Sequence, residues 1–251
     1  MDVRQPLERA HQLLSNHQFE PVFLGIRGSV VYELPGTHAD TDVRAVYLAP
    51  TAEILSIRGS RQTLEMTEGT LDFVGWEAGR FFHHLLSHNG NMVELLLTPE
   101  DMVWCGTKGR ALQEIGHRFV TRKLHRYYRG YAQSQFKRAQ QQIRTGKGAI
   151  YTYREMYAGI WLLRTGELVF PWAELRAKVE GEDIYHSVLL DEFNMDRDLI
   201  TDHVLLAMRS EFADLTKILD ESVVLSPLPE GYDGYEACNN LLLKWRSAGW
   251  V

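Results

Sequence analysis

Three carboxylates and a Gly-Ser pair define the chemistry to look for in this chain. The run Gly25-Ile-Arg-Gly-Ser-Val-Val-Tyr-Glu-Leu-Pro-Gly-Thr-His-Ala-Asp-Thr-Asp-Val-Arg44 puts Asp40 and Asp42 at alternate positions. Side chains two apart on a strand point the same way. Paired carboxylates on one face are hard oxygen ligands, suited to a divalent cation that keeps substrate phosphates as further partners. Gly28-Ser29 comes earlier, where a predicted strand ends and a helix is expected to start. Glycine lets backbone N–H groups approach a phosphate closely, serine adds a hydroxyl donor, and a helix N-terminus favours anions. Asp72 lies in Thr70-Leu-Asp-Phe-Val74, among apolar residues of another predicted strand. A buried acid is costly unless it is paired or metal-bound. Beside the first pair, Asp72 could bind a metal and accept the proton of an attacking hydroxyl.

Each feature alone has a plainer reading. Gly-Ser before a helix is commonly a turn, Asp-x-Asp a solvated strand end, and Asp72 an edge acid facing water. Their joint occurrence, in order and each on a suitable element, favours catalysis.

The elements that must position these residues follow from periodicity. Leu7, Ala10 and Leu14 mark an amphipathic helix over 5–18. Strands are expected at 20–27, 42–49, 62–66 and 70–76, with turn residues through 35–40 and at Glu68-Gly69. Helical spacing runs over 77–88 and 91–97, and then at 107–117, 119–145, 148–165, 172–180, 199–221 and 233–247. The expected architecture is α+β: a catalytic domain over 1–106, then an α-helical domain over 107–251.

Charge distribution adds a second candidate surface. Net charge is −6, against a general DNA-coating role, yet no acid occurs between Glu114 and Glu155. Arg122, Arg126, Arg129, Gln133, Lys137, Gln140 and Arg144 recur at helical spacing, opposite Leu124, Tyr128, Tyr131, Ala139 and Ile143. Such a stripe could bind a triphosphate or an RNA backbone, with Tyr127, Tyr151 and Tyr153 stacking on bases. The alternative is a helix buried on its tyrosines and solvated on its arginines. Glu94, in an apolar helix, either braces the active-site wall or is exposed. His84 and His88 have i, i+4 spacing without a third ligand nearby, so a surface or core histidine pair is the simpler reading. Packing is expected of Trp245 and Trp250.

Composition bounds the rest. Apolar residues at 45% and charged residues at 24% suit a globular chain with a real core. No apolar run approaches the roughly 18 residues of a membrane helix, and the first residues carry no signal-peptide core. Cys105 and Cys238 have no partner spacing, so a reducing cytoplasm is expected.

The Gly-Ser, the gap and the Asp-x-Asp resemble the DNA polymerase β nucleotidyltransferase superfamily. Within it, Gly28-Ser29-x-x-Tyr32 followed by Asp40-x-Asp42-x-Arg44 is similar to the nucleotidyltransferases associated with RNA ligases. Asn89-Gly-Asn-Met-Val-Glu94-Leu-Leu, and Lys147 followed by Tyr153-Arg154, extend the likeness over about residues 20–170. Glu33, Ala39 and Gly90 depart from the family pattern without removing a carboxylate. The resemblance implies a mixed sheet with flanking helices and a two-metal site of Mg²⁺ or Mn²⁺ held by Asp40, Asp42 and Asp72. It implies NMP transfer from an NTP, ATP among the candidates, with pyrophosphate release. Gly28 and Ser29 would hold the β- and γ-phosphates, and Arg44, Lys137, Lys147, Tyr151 and Arg154 would complete the nucleotide site. The implied acceptor is an RNA end in repair or processing, with an RNA ligase as associate. A protein or small-molecule acceptor, or a non-catalytic nucleotide or RNA sensor, are the competing readings.

Overall fold

A computed structural model describes residues 3–34, 40–141, 146–190 and 200–247. The expected turn at 35–39 (with Ala39), together with Ile143, Arg144 and Trp250, lies outside the described residues. Contacts divide the chain into two compact units. The first comprises Met1–Val31, His38–Val120 and Gly231–Val251; the second comprises Tyr32–Thr37 and Thr121–Glu230.

The first unit is built on a five-stranded mixed sheet. Its strands are β1 (Glu20–Arg27), β2 (Thr41–Leu48), β3 (Thr63–Glu68), β4 (Leu71–Glu77) and β5 (Val103–Cys105), in the order β3-β4-β2-β1-β5. β2 and β4 run parallel; the other neighbours are antiparallel. β1 is buried from Val22 to Arg27, as its continuous apolar run requires. β4 alternates between buried and half-buried residues, which leaves one face for chemistry. Short helical turns α2 (Gly28–Val31) and α3 (Thr51–Ile54) follow β1 and β2. β5 is three residues long, too short for a periodic signal, and was not expected.

Helices α1 (Arg4–Asn16), α4 (Ala78–Leu86), α5 (Gly90–Leu96), α6 (Thr107–His117) and α11 (Tyr235–Ser247) flank this sheet. α1 buries Leu7, Ala10, Leu13 and Leu14, in a core shared with Ile26, Val43, Tyr47 and Phe73. The division differs from the expected break after residue 106, because α6 and α11 belong with the sheet. α6 approaches β1 so closely that a Cβ on Gly109 would lie 2.4 Å from the Val22 carbonyl. α11 packs Trp245 on Phe82 at 5.7 Å, and its Arg246 bonds the buried Glu77 and, at 2.5 Å, the Ala49 carbonyl.

The second unit is helical: α7 (Leu124–Gln140), α8 (Gly146–Thr165), α9 (Trp172–Gly181) and α10 (Asp202–Leu225). α8 is its centre, buried on nearly every side from Ala149 to Leu163. α7 starts later than its periodicity suggests. The Arg122 N–H is taken by the Pro229 carbonyl, and its guanidinium bonds the Leu228 and Ser226 carbonyls. Arg122 therefore anchors a loop and does not join the basic stripe. No described helix is long and apolar enough to cross a membrane. Both cysteines are free.

Candidate active site

β1 ends where the site begins. Gly28 has φ +68°, a left-handed backbone that glycine adopts without a Cβ penalty. A Cβ there would also sit 2.0 Å from Asp42 Oδ2. Gly28 is thus the residue that lets the Asp42 carboxylate lie against the backbone at the start of α2. The expected helix after Gly28-Ser29 is a single turn. What it offers an anion is its first backbone N–H groups and the half-buried Ser29, not a long helix dipole.

The preceding residue, Arg27, is buried. Its Nη2 donates to Glu94 Oε2 at 2.5 Å, and Glu94 is fully buried on α5. This pair ties the end of β1 to the wall behind it, the bracing role considered for Glu94. Sequence reasoning passed over Arg27, although a cation closing a continuous apolar strand marks a buried charge in need of a partner.

β2 and β4 bring two of the acids together. Asp42 and Asp72 are direct partners in the parallel register. Both side chains are partly exposed, 29% and 40%. Arg44 follows on the same face of β2. Its Nη2 donates to Asp42 Oδ1 at 2.8 Å and to Asp72 Oδ2 at 3.1 Å. Its Nη1 donates to the Asp72 carbonyl at 3.0 Å and the Val43 carbonyl at 3.2 Å. Burial raises the pKa of the Asp42 carboxyl above its ordinary value. Arg44 pulls it back, and Asp72 adds to the rise through a side-chain hydrogen bond and its like charge.

Asp40 stands apart. It is exposed at the entrance to β2, adjoining the undescribed stretch. Among the described residues, no three His, Cys, Asp or Glu side chains converge tightly enough to hold a metal ion. The sheet register sets Asp42 against Asp72, and Asp40 lies before β2, outside that register. Asp42 and Asp72 do suit a hard divalent cation. They offer oxygens on one face, and the point between them already holds a positive nitrogen.

The remaining candidates separate by burial. Lys137 and Lys147 are exposed, on α7 and at the start of α8, and Tyr151 is half-buried with its ring edge-on to Tyr32 at 6.4 Å. Arg154 is fully buried. Its guanidinium lies 3.5 Å over the Tyr32 ring and bonds Glu155 at 2.8 Å. Arg154 here builds the core instead of a nucleotide surface, because a nucleotide contact needs exposed donors. Tyr153 is likewise buried, its hydroxyl bonded to Glu211 at 2.5 Å, and so cannot stack on a base here. Arg126 and Lys137 are exposed as the stripe requires, while Arg129 pairs with Asp220 at 3.4 Å. His84 and His88 do not share a helical face. α4 ends at Leu86, and His88 has φ +56° and packs against Phe119 at 5.4 Å.

A family model described as the RNA repair pathway DNA polymerase beta family matches residues 3–212. That range contains both units' candidate residues and stops within α10. The chain is also similar to an uncharacterized protein, MJ0002, of Methanocaldococcus jannaschii. The two are 25% identical over 208 residues, covering 80% of this chain and 84% of the relative.

Proposed function

The chain belongs to the RNA repair pathway DNA polymerase beta family, and from that premise we propose that it transfers an NMP from an NTP to an RNA end. The observation that carries this reading is the in-register pair Asp42 and Asp72, set beside Gly28 on one sheet face. Nucleotidyl transfer is largely a matter of positioning and charge neutralisation. Asp42 and Asp72 would hold a divalent cation, Mg²⁺ or Mn²⁺, with Asp40 joining from the entrance of β2 and completing a two-metal site. The cations supply neutralisation of phosphate charge when bound.

The chain's own residues do the rest. Gly28 and Ser29 hold the β- and γ-phosphates through backbone N–H groups and a hydroxyl. Lys137, Lys147 and Tyr151 supply charge and stacking for the nucleotide. Asp72 accepts the proton of the acceptor hydroxyl as its oxygen bonds to the α-phosphorus. The bond from that phosphorus to the β-phosphate oxygen breaks, and pyrophosphate leaves.

The test is incubation with each α-labelled NTP, Mg²⁺ or Mn²⁺, and an RNA pool. Label on RNA with stoichiometric pyrophosphate is expected. Asp42→Ala should lower the rate by orders of magnitude, roughly 10²-fold or more. Wild-type turnover in that variant would refute the mechanism. Label found on protein or a small molecule alone would move the acceptor out of RNA. No pyrophosphate with any NTP would favour a sensor.

A further inference from the structure

The Arg44 guanidinium occupies the ground between the two in-register acids. One nitrogen bonds Asp42 Oδ1 at 2.8 Å and Asp72 Oδ2 at 3.1 Å, while the other is anchored on the backbone carbonyls of Asp72 and Val43. Two carboxylates side by side repel, and a cation between them offsets that repulsion. Arginine suits this because it stays charged at any working pH and forms a rigid fork. Asp42 Oδ2 lies against Gly28, so the carboxylate is bounded on that side as well. The sheet register therefore fixes the acids, and Arg44 fixes their oxygens.

From this geometry we infer that Arg44 is the resident counter-ion of the site, exchanged for the divalent cation when the enzyme is loaded. The inference rests on the reading of Asp42 and Asp72 as metal ligands. A divalent cation held by Asp42 and Asp72 would draw on the carboxylate oxygens that now accept from Nη2. Two positive groups cannot share that point. Arg44 therefore gives up its two carboxylate bonds as the site loads, with its backbone-anchored half acting as the pivot. Arg44 is a positioning residue in this scheme. It keeps the acids converged in the metal-free protein and sets a threshold against casual cation binding.

The test uses Arg44→Gln and Arg44→Lys in the full chain, with Mn²⁺ as probe and no nucleotide. Free Mn²⁺ is read by electron paramagnetic resonance, and melting is followed in EDTA and in saturating Mn²⁺. Arg44→Gln should melt lower than wild type in EDTA, regain most of the difference in Mn²⁺, and bind Mn²⁺ roughly tenfold more tightly. Arg44→Lys keeps the charge without the fork, and should fall between the two. It also carries the test if the glutamine variant does not fold. Binding of Mn²⁺ that Asp42→Asn abolishes, but that both Arg44 variants leave unchanged or weaken, would overturn the exchange alone. Absence of any Asp42-dependent Mn²⁺ binding in wild type and variants would overturn the metal reading, and the exchange with it.

Discussion

Asp42 and Asp72 stand opposite each other across the parallel strands β2 and β4, with one nitrogen of Arg44 bonded to both. The acids are placed by sheet register, so the convergence does not depend on a loop closing. The arrangement costs like-charge repulsion in the resting protein. Asp72→Asn removes that repulsion and keeps an oxygen for Arg44. Its stability should stay within about 1 kcal/mol of wild type, while pyrophosphate release falls roughly 10²-fold or more. Parallel measurement of urea unfolding and NTP turnover checks both halves.

Gly28 predicts a contrast with Gly69. Both have positive φ, +68° and +61°, so alanine at either position carries a backbone penalty of about 1–2 kcal/mol. Around Gly69 nothing lies within 4 Å of an added Cβ, whereas at Gly28 that Cβ meets Asp42 Oδ2 at 2.0 Å. Gly69→Ala should lose stability and keep activity. Gly28→Ala should lose both, with turnover down at least about tenfold as Asp42 is displaced. Equal activity in the two variants would detach Gly28 from the site.

The Arg27–Glu94 pair is buried on both sides, 6% and 1% exposed. Removing one partner leaves the other charge in the core. Glu94→Ala should cost about 3–5 kcal/mol in urea unfolding, and the double change Arg27→Met with Glu94→Leu should recover most of it. A double variant as unstable as the single would mean that packing, not charge, explains the loss.

The sequence was legible where one residue reports on its own surroundings. The apolar run before Gly28, the alternation around Asp72 and the spacing of α1 and α4 each mark an element. It was less legible where a partner decides. Parallel pairing of β2 with β4 is a tertiary choice, so the register of Asp42 with Asp72 had no local trace. Arg154 reads as a surface cation within a basic stretch, yet the Tyr32 ring and Glu155 cover it. Arg122 fits the helical stripe by spacing, but carbonyls from Ser226 to Pro229 claim it. Asp40 shares spacing with Asp42, but it precedes β2, so the alternation that aligns strand side chains does not extend to it.

Burial separates two cations of the second unit by what their loss should do. Lys147 is exposed and Arg154 is not. Lys147→Ala should melt like wild type, within about 0.5 kcal/mol, and bind ATP more weakly. Arg154→Ala should lose about 3 kcal/mol or more, since Glu155 would keep a buried charge. Thermal melting with and without ATP distinguishes them. A stable Arg154→Ala protein with weakened ATP binding would return that residue to the nucleotide site.

The thiol of Cys238 predicts how stability depends on alkaline pH. It is buried on α11, 1% exposed, and burial pushes its pKa from 9.0 up to about 12. The unfolded chain can therefore release this proton above pH 9, while the folded chain holds it. A pKa raised by folding contributes stability that is complete below the unfolded value and is lost as pH climbs toward the folded one. For one proton the loss has a limiting slope of about 1.4 kcal/mol per pH unit. Other groups titrate in the same range, so the informative quantity is the difference between wild type and Cys238→Ala. The cavity left by alanine is the same at pH 8 and pH 10.5 and cancels between them. Wild type should lose more stability than Cys238→Ala over that interval, measured by urea midpoints. A difference that does not change with pH would mean that the thiolate is solvated in the folded protein, and that α11 is not seated on the sheet unit as tightly as its burial indicates.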